Sequence, residues 1–186
     1  MTRASLYSLL AIALAAPAAA HGAAYAVDPA GSRLSFAGAV DGRPFTGVFR
    51  NWSAQIDFDP AHLAASRVKV VVQTGSVSAG TPEYDKTLAE TAWFNVRQFP
   101  TAVFVAKTFS KTGPNSYMAR GDLTLRNVTR PVNLAFTLQP AGALTRMKGE
   151  LTLDRTQYGI GAGDFSGDRP LAKAVRVNVD LVATAR

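Results

Sequence analysis

Residues 121–138 read GDLTLRNVTRPVNLAFTL. Leu123 and Leu125 alternate with Asp122, Thr124 and Arg126. A short polar turn follows, and Val132, Leu134, Phe136 and Leu138 then alternate with Asn133, Ala135 and Thr137. Apolar residues at every second position on both sides of a turn specify an antiparallel hairpin with one apolar face. Pro131 has no N–H, so it belongs at the first position of its strand or at an edge. Such a face is stable only when covered, and the flanking sequence shows what covers it.

Downstream, Met147, Gly149, Leu151 and Leu153 alternate with polar residues, as do Val175, Val177, Val179, Leu181 and Ala183. Upstream, Ala102, Phe104 and Ala106 lead through the turn Gly113-Pro114-Asn115 into the opening hairpin. Val68, Val70 and Val72 form an earlier strand with Lys69 and Gln73 outward. Near the start, Leu34 and Phe36 precede a tight Asp41-Gly42 turn and a return strand with Phe45, Gly47 and Phe49. The apolar phase then slips by one residue to Trp52, Ala54, Ile56 and Phe58, which predicts a β-bulge near Arg50 and Asn51. Asp59-Pro60 predicts a capped helical turn or two up to Ser66. Thr81-Pro82 predicts a helix to about Thr91 with Tyr84, Leu88 and Trp93 on one side. Helices this short and few cannot sandwich a parallel sheet. The pattern is all-β: an antiparallel barrel or sandwich of about eight strands with one or two short helices.

The chain begins MTRASLYSLLAIALAAPAAA, with Arg3 before a short apolar run and small residues after Pro17. This predicts a secretory signal peptide over 1–20, with cleavage as late as residue 24, followed by one domain over 21–186 in the periplasm. The roughly 165 residues that follow suffice for a core without disulfides, and there is no cysteine. Lys and Arg number 20 against 13 Asp and Glu, a net charge of +7. The basic residues Lys69, Lys107, Arg120, Arg126, Lys148 and Arg176 stand singly along strands, not in a run, so nucleic acid is not implied. They read as a solvated outer face or as an attraction to anionic lipid headgroups.

Catalytic and metal chemistry find little to work with. His21 and His62 are the only histidines; neither has a second histidine three or four residues away, so no metal site is predicted. Asp57 with Asp59 reads as capping, and Asp164 with Asp168 as turn chemistry. Residues 159–163, GIGAG, lack the helix and Lys-Ser/Thr of a phosphate loop and read as a flexible rim loop.

The informative feature is the inward phase. Gly47, Ala54, Ala102, Ala106, Ala119, Gly121 and Gly149 share it with Phe36, Phe49, Phe58, Phe104, Phe136 and Met147. In a barrel of about eight strands such small residues leave an open lumen, or bulky neighbours fill it as solid core. An open lumen of this lining is dry and suits a lipid.

Several segments together resemble the YceI-like family: Tyr25-Ala26-Val27-Asp28, Ile56-Asp57-Phe58-Asp59-Pro60, Asp85-Lys86-Thr87-Leu88, Phe99-Pro100-Thr101-Ala102-Val103-Phe104, Gly121-Asp122-Leu123-Thr124-Leu125, Val128-Thr129-Arg130-Pro131-Val132 and Arg155-Thr156-Gln157-Tyr158-Gly159-Ile160-Gly161. The resemblance implies a lipocalin-like barrel whose tunnel holds a polyisoprenoid lipid, an isoprenoid quinone or a prenyl phosphate, without catalytic residues or a further cofactor. Many members carry a histidine in the first hairpin. Here it is the compact 40–45, VDGRPF, which is similar to a branch found beside or fused to membrane b-type cytochromes. Such a cytochrome, a membrane surface or a second copy of the chain are the partners this implies. The rival reading is a non-catalytic accessory module of an envelope complex with a packed barrel. On the lipid reading the tunnel wall comprises Phe36, Phe49, Phe58, Val70, Phe104, Leu123, Phe136, Leu151 and Val179. A polar headgroup belongs at a rim, since burying it unpaired costs several kcal/mol. The rim candidates lie in 155–169: Arg155, Tyr158 and Arg169, with glycines that bring backbone N–H groups close to a ligand. The alternative for Arg155 is a tie to Asp154, Asp164 or Asp168 that shapes the loop.

Overall fold

A computed structural model describes residues 23–186, so the leader expected at 1–20 lies outside the described residues. Among the described residues ten strands build one sheet: β1 (Ala23–Val40), β2 (Arg43–Phe49), β3 (Trp52–Phe58), β4 (Arg67–Gln73), β5 (Val77–Ser78), β6 (Thr101–Lys111), β7 (Ser116–Leu125), β8 (Val128–Ala141), β9 (Leu144–Asp154) and β10 (Ala174–Ala185). Their order is β10-β9-β8-β7-β6-β4-β3-β1-β2-β5, and a further β10–β1 pairing closes eight of them into an antiparallel barrel. β2 and β5 continue from the edge of β1 as an extension of the wall.

The hairpin 121–138 forms as its alternation dictates. Leu125 faces Val128 across a two-residue turn in which Arg126 (φ 50°) and Asn127 (φ 60°) are both left-handed, the geometry that matches the twist of the strands it joins. Asp41 and Gly42 do the same between β1 and β2. Pro131 sits where β8 is locally an edge: β8 and β9 are in register only from Ala135↔Glu150 to Ala141↔Leu144, so no ladder bond is lost.

Two local expectations are corrected. The phase slip after Phe49 is a corner, not a bulge. The chain bends at Arg50-Asn51 between β2 and β3, where Arg50 N–H donates to the Ser76 carbonyl at 3.1 Å. The register shifts lie elsewhere, at Asp28/Arg33 in β1 and Ala106/Thr108 in β6. The first helix shrinks to a single 3-10 turn, Leu63–Ala65, because Asp59 spends its carboxylate on Ala61 N–H (2.8 Å) and the His62 ring (2.7 Å). α1 (Pro82–Ala89) does begin at the Thr81 cap, whose hydroxyl accepts from Tyr84 N–H. Of its expected apolar side, Leu88 and Trp93 turn inward but Tyr84 is 62% exposed.

β1 is the strand on which the wall turns. One edge pairs with β10. The other pairs with β3 only over Ala23–Tyr25 and with β2 from Leu34 to Val40. Residues 26–33 and 52–55 therefore face each other unpaired, and a surface groove lies along this seam. Outside, cross-strand pairs hold exposed charges: Lys107–Asp122 at 2.6 Å, Arg146–Asp180 at 2.8 Å and Arg176–Glu150 at 3.5 Å. That is the solvated outer face, and such pairs contribute about 1 kcal/mol or less each. Arg126 is the exception, since it is folded against the loops.

Candidate functional site

Period-two alternation turns one side of every strand inward, and the barrel encloses a cavity of about 260 Å³ between the inward faces. It runs from an aromatic cluster at one end to a second at the other. At the first, Phe58 packs edge-on against Phe109, Tyr117 and Phe136 with centroids 5.3–5.7 Å apart. At the second, Phe36 lies 5.5 Å from Phe49, which lies 5.6 Å from Phe94. The lumen is open, and the packed-barrel alternative does not describe it.

Small residues make this space unequally. Ala54, Ala102, Ala106 and Ala119 line the cavity. The inward glycines do not. At Gly47 the Phe36 ring occupies the place of a side chain, at Gly149 Leu134 and Phe136 close in, and at Gly121 the β6 backbone at Val105 and Ala106 comes too close for any Cβ. Glycine here permits tight strand packing; alanine leaves the void.

All nine wall residues named from the sequence line the cavity: Phe36 from β1, Phe49 and Phe58 from β2 and β3, Val70 and Phe104 from β4 and β6, and Leu123, Phe136, Leu151 and Val179 from β7 to β10. Missed were Phe94, Ile160 and Leu171, which seal the second end from irregular segments. Buried apolar residues outside any strand carry no periodic signal, which is why alternation could not find them.

The three rim candidates separate. Arg155 is 4% exposed and lines the cavity, yet its guanidinium is spent on backbone carbonyls: Nε on Ala172 (3.0 Å), one terminal nitrogen on Ile160 (2.8 Å), the other on Gly167 (2.9 Å) and Leu171 (2.7 Å). It ties loop to loop and holds no carboxylate. Burial lowers its pKa, partly offset by Asp154 and Asp168, but an arginine stays charged. Arg169 is exposed and does not line the cavity. Tyr158 is 2% exposed, lines the cavity, and its hydroxyl is buried without a partner. Burial raises its pKa, so it is a neutral phenol at ordinary pH.

The glycine-rich loop is not free to offer its amides. Gly161 N–H and Ala162 N–H both donate to Ala92 O, at 2.8 and 3.2 Å. Gly161 has φ +77°, and a Cβ there would collide with the Arg155 guanidinium. Arg126, unforeseen as a site residue, reaches across the same end. Its guanidinium donates to Gly159 O and Thr91 O and lies 5.8 Å over the Phe99 ring. The first hairpin joins them through Asp41 N–H on Pro170 O (2.7 Å) and the Val40↔Leu171 bridge. Among the described residues, no group of three or more His, Cys, Asp or Glu is placed to hold a metal ion.

Comparison with known proteins agrees with this architecture. A family model for the YceI-like domain matches residues 25–183. A UPF0312 protein of Vibrio vulnificus is 32% identical over 136 residues, covering 72% of each chain. The crystal structure of Burkholderia cenocepacia BcnA superposes with a TM-score of 0.83 at 30% identity, covering 86% of this chain and all of that one. A domain from Saccharophagus degradans, described as polyisoprenoid binding and implicated in plant cell wall breakdown, superposes with a TM-score of 0.69 at 16% identity, covering 88% and 99%.

Proposed function

The chain belongs to the YceI-like family, and from that premise we propose that it is a non-catalytic carrier that encloses a long polyisoprenoid lipid in its barrel. The observation that carries this is the lumen: a continuous cavity whose lining is aliphatic and aromatic apart from Thr74 and Thr145, with Arg155 its one charged residue among the described residues. Such a space cannot order water, and apolar surface moved into it gains about 25 cal/mol per Å². A flexible branched chain can follow the narrow path between Phe58 and Phe94, and the nine wall residues are its contacts. The polyisoprenoid binding ascribed to the Saccharophagus degradans domain supports the same class of ligand.

Export to the periplasm, read from residues 1–20, places the carrier between membranes. In this reading a membrane surface or a membrane b-type cytochrome is donor or acceptor of the lipid. Organic extraction of protein purified without detergent, followed by mass spectrometry, tests the proposal. A prenyl lipid in near-stoichiometric amount is expected, and a lipid-free protein with a stable fold would overturn it. Fractionation of cells tests the compartment.

A further inference from the structure

Both ends of the lumen are shut by packed side chains. At the first, Leu63 from the turn after β3 packs on the cluster that holds Phe58, Tyr117 and Phe136. At the second, Arg155 and Arg126 tie the sealing loops through backbone carbonyls, and Asp41 N–H holds the first hairpin to Pro170 O. The ladder break between β8 and β9 lies at this same end. It is backed by the buried Tyr158, with Val128 and Leu153 packed on its cluster. A long apolar chain entering by either end has these contacts to displace.

The seam between β1 and β3 is built differently. No ladder bond joins residues 26–33 to 52–55. The β10 register also skips residues 29–32, passing from Asp28↔Val182 to Arg33↔Asp180, and Pro29, Ala30 and Gly31 are exposed. Tyr25, Trp52, Ala54 and Ile56 line the lumen and the surface groove alike. Along this line only side chains separate inside from outside, and at Ala54 the side chain is a methyl group.

The two ends of the seam are held unequally. At the corner, Asn51 N–H donates to Ser76 Oγ at 3.0 Å and Gln73 N–H to Asn51 O at 2.9 Å, beside the bond from Arg50 N–H to Ser76 O. At the other end three residue pairs, Ala23↔Phe58, Ala24↔Asp57 and Tyr25↔Ile56, are the whole β1–β3 ladder among the described residues. Splaying β1 from β3 therefore breaks a short ladder at a strand terminus and strands few backbone groups without partners. Tyr25 and Trp52 stand at the opening, and aromatic side chains with a polar tip favour the boundary between lipid and water.

We propose that this seam is a lateral portal: it is laid against a lipid surface, and an apolar chain passes sideways between that surface and the lumen while the three-pair ladder is open. This rests on the carrier reading and adds the route by which the carrier loads and unloads. A chain lying in the groove runs alongside the lumen, so each segment leaves one apolar environment as it enters the next, with little of its length in water.

The chain contains no cysteine, so an engineered disulfide has no competitor. Ala24→Cys with Asp57→Cys joins directly opposed residues of the short ladder, and paired antiparallel Cα atoms stand about 4.5–5.5 Å apart, within disulfide reach. The probe is geranylgeraniol. Its transfer between the full chain and phosphatidylcholine vesicles is followed in both directions by mass spectrometry of the protein fraction. Oxidation is expected to slow uptake and release alike by about tenfold or more, with the equilibrium partition unchanged and the rates restored by reductant. Thr124→Cys with Thr129→Cys, whose hydroxyls lie 2.8 Å apart between β7 and β8, cross-links the wall away from the seam and should leave both rates unaltered. Equal rates in the oxidised and reduced seam variant, or equal slowing by the second cross-link, overturn the portal. Should the seam pair not oxidise, Trp52→Val decides: a rise of about threefold or more in both rates at unchanged partition supports the portal, whereas unchanged rates or faster release alone overturn it. A wild-type chain that takes up no geranylgeraniol defeats the carrier itself.

Discussion

Ala106, 2% exposed and lining the cavity, shows how the lumen is controlled one side chain at a time. Ala106→Trp places an indole in the tunnel between β4 and β7, and the expected outcome is a folded protein that co-purifies without lipid. If no space existed, the same change would cost about 1–3 kcal/mol by overpacking and lower the melting temperature instead, so thermal melting and lipid extraction together separate the two. Tyr158 gives a second measurement. Its folded pKa is raised above the ordinary 10.0 by burial, so its contribution to stability is complete below pH 10 and disappears as pH rises through the folded value. Alkaline titration of phenolate absorbance should show one tyrosine ionising late, and Tyr158→Phe should remove that one. The wall was legible because period two assigns each residue a side without knowing its partner. The rim was less so. Arg155 looked like a headgroup ligand since charge and position can be read along a chain, but the four carbonyls that occupy it come from residues distributed through the loop.

Elements translate these residues into positions, and the 3-10 turn Arg155–Tyr158 is the most consequential of them. Asp154 caps it, and the hydrogen bond from the Thr156 hydroxyl is the main reason its pKa lies below the usual 3.8. A depressed carboxylate stabilises the folded state above pH 3.8, and this is lost as pH falls through the lower, folded value. Acid should therefore loosen the turn that presents Tyr158. Asp154→Asn keeps a capping side chain but cannot titrate, so lipid retention in acid should depend less on pH in the variant; equal acid limbs would count against the turn as the weak point. Among strands, β1 has the exposed seam. Backbone amides of 52–55 that face it are expected to exchange hydrogen faster than those of β7 and β8, whose ladder runs unbroken from Ser116 to Thr137. Corner and bulge could not be told apart in the sequence, because both shift the apolar phase by one residue. The difference lies in which neighbours the next strand finds, and for β3 these are β4 and the far end of β1.

On the scale of the whole molecule, strand number and antiparallel sense followed from turns and alternation, but closure did not, since no local pattern states that the first strand meets the last. The structure makes that join through the long β1–β10 ladder, where Ser32 accepts from Val182 N–H at 2.9 Å across 150 residues of sequence. Contacts so far apart form late, because the intervening chain must first be ordered. Loss of residues 174–186 is accordingly expected to abolish cooperative unfolding, as measured by circular dichroism, and not merely to lower the midpoint. The same join bears on how cargo gets in. A cylinder whose final act is to zip along its length can be wrapped around a greasy chain already lying in the trough, with no need to thread it through an end. Refolding in the presence of a prenyl lipid should then load the protein faster than offering the same lipid to the finished barrel, and equal rates would show that the ends or the seam admit cargo freely.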